Sequence, residues 1–209
     1  MEYNDKQVQI METAEVLFAE KGFNGTSVRD IAEKANVNLA MISYYFGSKD
    51  KLLEALFSYR GEHLKMKMET MIGEKQMSSI EKMDSLIDHY IEKLMNQQCF
   101  SRIMVREQVV NHTGLTAELI TQMKKRNQEL ISRLIHQGQK RGEFKKNIDI
   151  PLMMATLIGT ANHTIATQHY YRDINNLQSM SEDDFQKHIK KKLSQHLKKL
   201  FKAILTNDE

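Results

Sequence analysis

Six side chains between positions 27 and 49 carry the chemistry in this chain that most resembles anion binding. The hydroxyls of Ser27, Ser43, Tyr44 and Tyr45 can donate hydrogen bonds to phosphate oxygens, and Arg29 and Lys49 can add positive charge beside them. Free backbone N–H groups at a helix start attract the same kind of anion. No nucleophile–base pair, paired acids or metal-ligand spacing occurs with them, so this is chemistry of binding and not of turnover.

These groups need rigid elements to aim them. Thr26 and Ser27 supply an N-cap before Val28, and Asp30 follows Ser27 at capping-box spacing. Ile31, Ala32 and Ala35 then share one helical face. Asn36 stands at the joint, where a residue tolerant of the left-handed conformation is required. Asn38 caps a second short helix whose Ile42 and Phe46, with Val37, point inward. That leaves Leu39, Ala40, Ser43 and Tyr44 outward. Ser48 caps a third helix that starts at Lys49 and buries Leu52, Leu53, Leu56 and Phe57. Two short helices joined by a tight turn, the second with small, hydroxyl and aromatic groups outward, form a helix-turn-helix, whose second helix fits a DNA major groove.

The run from Ile10 to Phe57 resembles the N-terminal domain of TetR/AcrR-type transcriptional repressors. The resemblance lies in Ala14, Leu17 and Phe18, in Gly22-Phe23, in Thr26-Ser27-Val28, in Ile31-Ala32, and in Tyr44-Tyr45-Phe46 with Lys49 three residues on. It implies a DNA face of Ser27, Val28, Arg29, Asn38, Leu39, Ala40, Ser43, Tyr44, Tyr45 and Lys49. It also implies repression, homodimerisation and an inducer pocket. The chain departs from the family's usual pattern at Asn36, where Gly is commonest, at Leu39-Ala40-Met41, and at Ser43. Leu39 and Met41 cannot donate hydrogen bonds, so apolar contact with thymine methyls is expected there in place of bidentate guanine readout.

Composition sets the outer bounds. The 209 residues include one Pro and nine Gly, which favours long helices over sheet. Net charge is +3, and the first 60 residues carry seven Lys or Arg against nine Asp or Glu, so placement and not bulk charge argues for DNA. The single Cys99 excludes an internal disulfide and a Cys-based zinc site, and its simplest role is a buried small hydrophobe. With no leader pattern and no apolar run near 18 residues, a soluble cytoplasmic protein is expected, with no membrane partner.

Periodicity yields an all-α chain of about nine helices. Residues 4–21 carry Val8, Met11, Ala14, Leu17 and Phe18 at helical spacing, closed by Gly22. The fourth helix, about 48–72, buries Leu64, Met68 and Met71 in its second half and connects a DNA-binding domain, 1–47, to a regulatory and dimerising domain, 48–209. Ser78 and Glu81 open a helix over about 80–95. Helices over about 100–111, which includes Val110, and 116–139 follow. Asp149 and Pro151 start the eighth, running to about 171, and Ser181 with Asp184 starts the ninth.

The apolar stripes of the eighth and ninth predicted helices either complete a monomer core or pair with a second copy. Pairing is preferred, because one helix-turn-helix reads too few bases, and small residues at Ala155, Gly159 and Ala166 permit close helix approach. Candidate groups for an unidentified small-molecule effector are Tyr90, Met104, Glu107, Gln108, Met123, Asn162 and His163, with Met66, Met68, Met95, Met153 and Met154 as re-packable lining or ordinary core. The eight histidines, His63 and His112 among them, fall at no metal-binding spacing, so no metal and no cofactor are expected. The lysine face of the last helix reads as solvated. The expected protein is a non-enzymatic regulator that binds a pseudo-palindromic double-stranded operator as a dimer and is released by a small molecule. The rival is a ligand-independent activator or architectural DNA binder.

Overall fold

The computed structural model describes residues 3–110 and 113–206, with the side chains of His63, Leu64 and Val110 excepted. The core positions expected of Leu64 and Val110 and the histidines His63 and His112 therefore lie outside the described residues, as does Asn111. Every regular element among the described residues is a helix: α1 (Asp5–Lys21), α2 (Val28–Lys34), α3 (Leu39–Phe46), α4 (Lys49–Gly73), α5 (Ser79–Asn96), α6 (Gln98–Val110), α7 (Leu115–Lys140), α8 (Ile150–Ala166), α9 (Gln168–Ile174) and α10 (Glu182–Leu205). None of the helices among these residues is long and apolar enough to cross a membrane.

The described residues form ten helices where about nine are expected, because the predicted eighth breaks at Thr167. Its hydroxyl and its N–H both donate to the His163 carbonyl, and its φ and ψ of −107° and 21° leave the helical region. The predicted ninth helix is thus α10.

The chain forms two compact units. One comprises Met1–Lys67 and Gln98–Lys125, and the other Met68–Gln97 and Arg126–Glu209. In the first, α1 to α3 and the start of α4 bury Ile10, Ala14, Phe18, Ile31, Ile42, Leu52 and Leu56. Phe100 and Ile103 of α6 and Ile120 and Met123 of α7 complete that core, and the Phe57 and Phe100 rings meet edge-on at 5.0 Å. A buried ion pair links α1 to α4: Arg60 Nε donates to Glu15 Oε2 at 2.7 Å, with side chains 15% and 5% exposed. Glu12, on the rim, stands 3.5 Å from the same guanidinium.

In the second unit α10 packs against α5 and α8. Its stripe of Phe185, Ile189, Leu193, Leu197 and Phe201 is buried. Asp88 of α5 accepts from Ser194 and Lys198 of α10. The same stripe of α5 that buries Met83 and Leu86 also buries Lys82, which is 1% exposed and donates from Nζ to the Ile72 carbonyl at 2.7 Å. Cys99 is half-buried and not fully buried, with Arg102 Nη2 3.3 Å from its sulfur. Met66 is 53% exposed and belongs to neither core.

Candidate nucleic-acid interface

The interface begins with the turn between α1 and α2. Gly22 ends α1 at φ 78°, and the Thr26 hydroxyl donates back to the carbonyls of Gly22 (2.8 Å) and Leu17 (3.3 Å). A Cβ at Gly25 would lie 2.4 Å from the Lys21 carbonyl oxygen, so the turn closes only with glycine there. The next residue, Ser27, caps α2. Its hydroxyl accepts from Asp30 N–H, while the Asp30 carboxylate accepts from Ser27 N–H and hydroxyl, both at 2.8 Å. This reciprocal box fixes the start of α2, leaving Ser27 and Arg29 exposed and Val28 half-buried.

The Ser27 N–H, then the Ser27 hydroxyl, hold the exposed Asp30 carboxyl below its ordinary value of 3.8, and Lys21 adds a little in the same direction. The group is an acid with a depressed folded value. Its contribution to α2 is therefore present above the ordinary value and lost as pH falls through the folded one. An NMR titration of the Asp30 carboxyl should give a midpoint below 3.8, and Ser27→Ala should move it back up. An unmoved midpoint in that variant would mean that the box does not hold in solution.

Asn36 joins α2 to α3 in the left-handed conformation, at φ 51°. Asn38 then caps α3, its Oδ1 accepting from Ala40 N–H at 2.8 Å. One face of this eight-residue helix is buried through Ile42 and Phe46. The other presents Ala40, Ser43, Leu39 (43% exposed) and Tyr44 (83% exposed). Tyr45 is half-buried, its ring edge-on to both Tyr44 and Phe46. The outward row is therefore hydroxyl, small and aromatic, held by a buried row on the same two turns.

Lys49 is the exception in this group. Its ammonium is half-buried and donates to the carbonyls of Phe23 and Thr26, each at 2.9 Å, while lying 4.3 Å from the centre of the Phe23 ring. Nothing in the residue types or spacing announced that arrangement, because its partners are more than twenty residues away in the chain. Lys82 had a readable signal, since it falls on the apolar stripe of its own helix.

The candidate effector groups divide between the two units. In the second, Asn162 of α8 donates to the Tyr90 hydroxyl of α5 at 3.1 Å and to the Ile158 carbonyl at 2.8 Å. Burial pushes the Tyr90 phenol up to about 12, against a smaller opposing effect of the Asn162 bond, so it stays a neutral hydroxyl. His163 is exposed beside this pair in sequence. In the first unit, Met123 and Glu107 are buried, Met104 is packed against the core, and Gln108 is exposed and bonded to Lys124.

Residues 10–56 match the model of bacterial regulatory proteins, tetR family, and residues 80–194 match that of the tetracyclin repressor-like C-terminal domain. A probable HTH-type transcriptional regulator of Bacillus subtilis, YttP, is 34% identical over 137 residues, spanning 65% of this chain and 66% of that protein. The fatty acid metabolism regulator protein of the same organism is 26% identical over 78% of this chain and 82% of its own length. Among solved structures, Bacillus subtilis FadR in complex with stearoyl-CoA superposes with a TM-score of 0.69 at 23% identity, covering 94% of this chain and 97% of that one. The helix-turn-helix geometry and the two matches, the second alone spanning more than half of the chain, lead to one conclusion: this chain belongs to the TetR family of DNA-binding transcriptional regulators.

Proposed function

We propose that this regulator is a ligand-responsive repressor that reads its operator with α3 in the major groove, contacting bases and backbone through Asn38, Leu39, Ala40, Ser43, Tyr44 and Tyr45. Ser27, Val28 and Arg29 at the start of α2 meet the flanking phosphates. The observation that carries this reading is Tyr44, a large aromatic side chain 83% exposed on a helix whose opposite face is fully packed. With Leu39, 43% exposed on the same helix, it leaves α3 an uncovered apolar and aromatic surface of the kind that marks a binding site. Residues 1–47 act as the DNA reader, α4 as the connection, and the rest of the chain as regulatory and dimerising domain.

The working form is a homodimer on a pseudo-palindromic site, since two readers set the half-site spacing at about 34 Å or a multiple. The surface proposed for pairing is α8 with α10. Leu152 (66% exposed), Ala155, Gly159 and Ala166 leave one apolar, small-residue face of α8 open, and Leu200 and Ile204 are only half-buried on α10, which packs against α8. A protein that works on genomic DNA acts in the cytoplasm.

The effector is proposed to be a fatty acyl-CoA. Support comes from the fatty acid metabolism regulator among the relatives and from the stearoyl-CoA bound to the similar FadR structure. The neutral Tyr90 phenol and its Asn162 partner are the groups proposed to meet its polar end. Met104, Glu107, Gln108, Met123 and His163 are the remaining candidates. Binding favours a state in which the two readers no longer match successive grooves, and a coupling of about 1–3 kcal/mol is enough for release.

The test is fluorescence anisotropy on the duplex upstream of the protein's own gene. Tyr44→Ala should weaken specific binding by about 1–3 kcal/mol without unfolding the chain. Stearoyl-CoA should release the wild type, and Tyr90→Phe should need more of it. Undiminished affinity in Tyr44→Ala would remove α3 from the interface. Stearoyl-CoA without effect on a DNA-bound sample would remove the acyl-CoA assignment.

A further inference from the structure

We propose that Lys49 is a positioning residue for DNA binding: its ammonium staples the α1–α2 turn to the start of α4 instead of neutralising a phosphate. The inference rests on the DNA-binding reading above and assigns one residue within it. An ammonium has three N–H donors and no acceptor. Two of those donors are committed, at 2.9 Å each, to the carbonyls of Phe23 and Thr26. The charge also lies 4.3 Å over the Phe23 ring, a further attraction in a half-buried place. Swinging Nζ out to a phosphate would strip two carbonyls of a charge-assisted donor and the ring of its cation.

What the staple holds is the part of the turn that matters. Thr26 is 1% exposed and its hydroxyl is spent on Gly22 and Leu17, while Gly25 is pressed against the Lys21 carbonyl. That turn is closed from the α1 side by Thr26 and from the α4 side by Lys49. The residue after Thr26 is Ser27, the cap from which α2 presents its first amides and Arg29. Loosening the Thr26 carbonyl therefore moves the start of α2 and leaves α3's outward row untouched. Arg29, exposed on the first turn of α2, is the group placed to carry charge to the backbone.

The two roles separate by salt. Each phosphate that a protein ceases to neutralise lowers the slope of log K against log salt by about 0.9. The experiment titrates salt on a random-sequence duplex with wild type, Lys49→Met, Lys49→Arg and Arg29→Ala, and measures amide hydrogen exchange at residues 26–29. A staple predicts that Lys49→Met weakens binding several-fold at every salt concentration while the slope shifts by less than half of about 0.9, and that exchange at residues 26–29 accelerates. Lys49→Arg should behave like Lys49→Met, since a planar fork does not fit two carbonyls spaced for one ammonium. Arg29→Ala should lower the slope. The proposal is overturned if Lys49→Met lowers the slope as Arg29→Ala does, if exchange at residues 26–29 is unchanged, or if Lys49→Arg restores full affinity. Should Lys49→Met not fold, the slope, affinity and exchange of Lys49→Arg decide between staple and phosphate contact in the same way. Wild-type protein with no salt-dependent binding would sink the DNA reading instead, and the exchange comparison would still decide the staple.

Discussion

Replacing Arg60 with Met should destabilise the first unit by about 3–5 kcal/mol, the usual cost of breaking a buried ion pair from one side. The reason is what stays behind. Glu15 is 5% exposed, and its carboxylate loses the guanidinium 2.7 Å away. Methionine refills most of the arginine stem, so the loss is electrostatic and not a cavity. Chemical denaturation of wild type, Arg60→Met and Arg60→Met with Glu15→Gln would test it. The double variant should recover much of the loss, because it removes the orphaned charge. A single variant as stable as wild type would mean that Glu15 reaches water in solution.

Phe185→Ala should cost about 3–5 kcal/mol in the second unit, as expected for deleting a fully buried aromatic side chain. Phe185 is 1% exposed and opens the buried stripe of α10. Its ring also carries the Arg172 guanidinium at 4.8 Å. That guanidinium organises the α9–α10 connection by donating to the carbonyls of Leu177 and Met180 and to the Glu182 carboxylate. Phe185→Leu keeps most of the buried area and removes the ring face, which is worth about 1–2 kcal/mol as a cation–π contact in a largely buried setting, the Arg172 side chain being 18% exposed. The two variants together apportion the effect. Urea midpoints should fall far for Ala and little for Leu. Equal losses would place the stabilisation in the ring's contact with Arg172 and not in the core.

Most of the helix starts were readable because a cap is local chemistry. Ser27, Asn38, Ser48, Ser78, Asp149 and Ser181 each stand two or three residues before the amide that their side chains receive. Asn36 was readable for the same reason, as a residue type suited to the left-handed joint it occupies. The outward row of α3 follows from its buried row once the helix is known. What periodicity misses lies across the fold. Glu15 and Arg60 are 45 positions apart, and neither position is marked by its neighbours as one half of a buried pair. Lys49 looks like any lysine at a helix start until the Phe23 and Thr26 carbonyls come beside it. Thr167 was hidden differently, since the apolar spacing runs on across it, and the same hydroxyl bond to the carbonyl one turn back leaves the helix unbroken at Thr13, Thr121 and Thr156. The candidate effector groups are marked in the sequence by type alone, and type pairs Tyr90 with Asn162 no better than with any other polar side chain.

The sequestered amine of Lys82 has a use of its own. A primary amine reacts with acylating reagents as the free base and only where they can touch it. At 1% exposure, with Nζ held on the Ile72 carbonyl, Lys82 is shielded while the lysines along the outer face of α10 stand open. Its acylation therefore counts moments when the corner between α4 and α5 comes apart. The chain thus carries a built-in chemical clock at the C-terminal end of α4, and the exposed lysines of α10 set its zero.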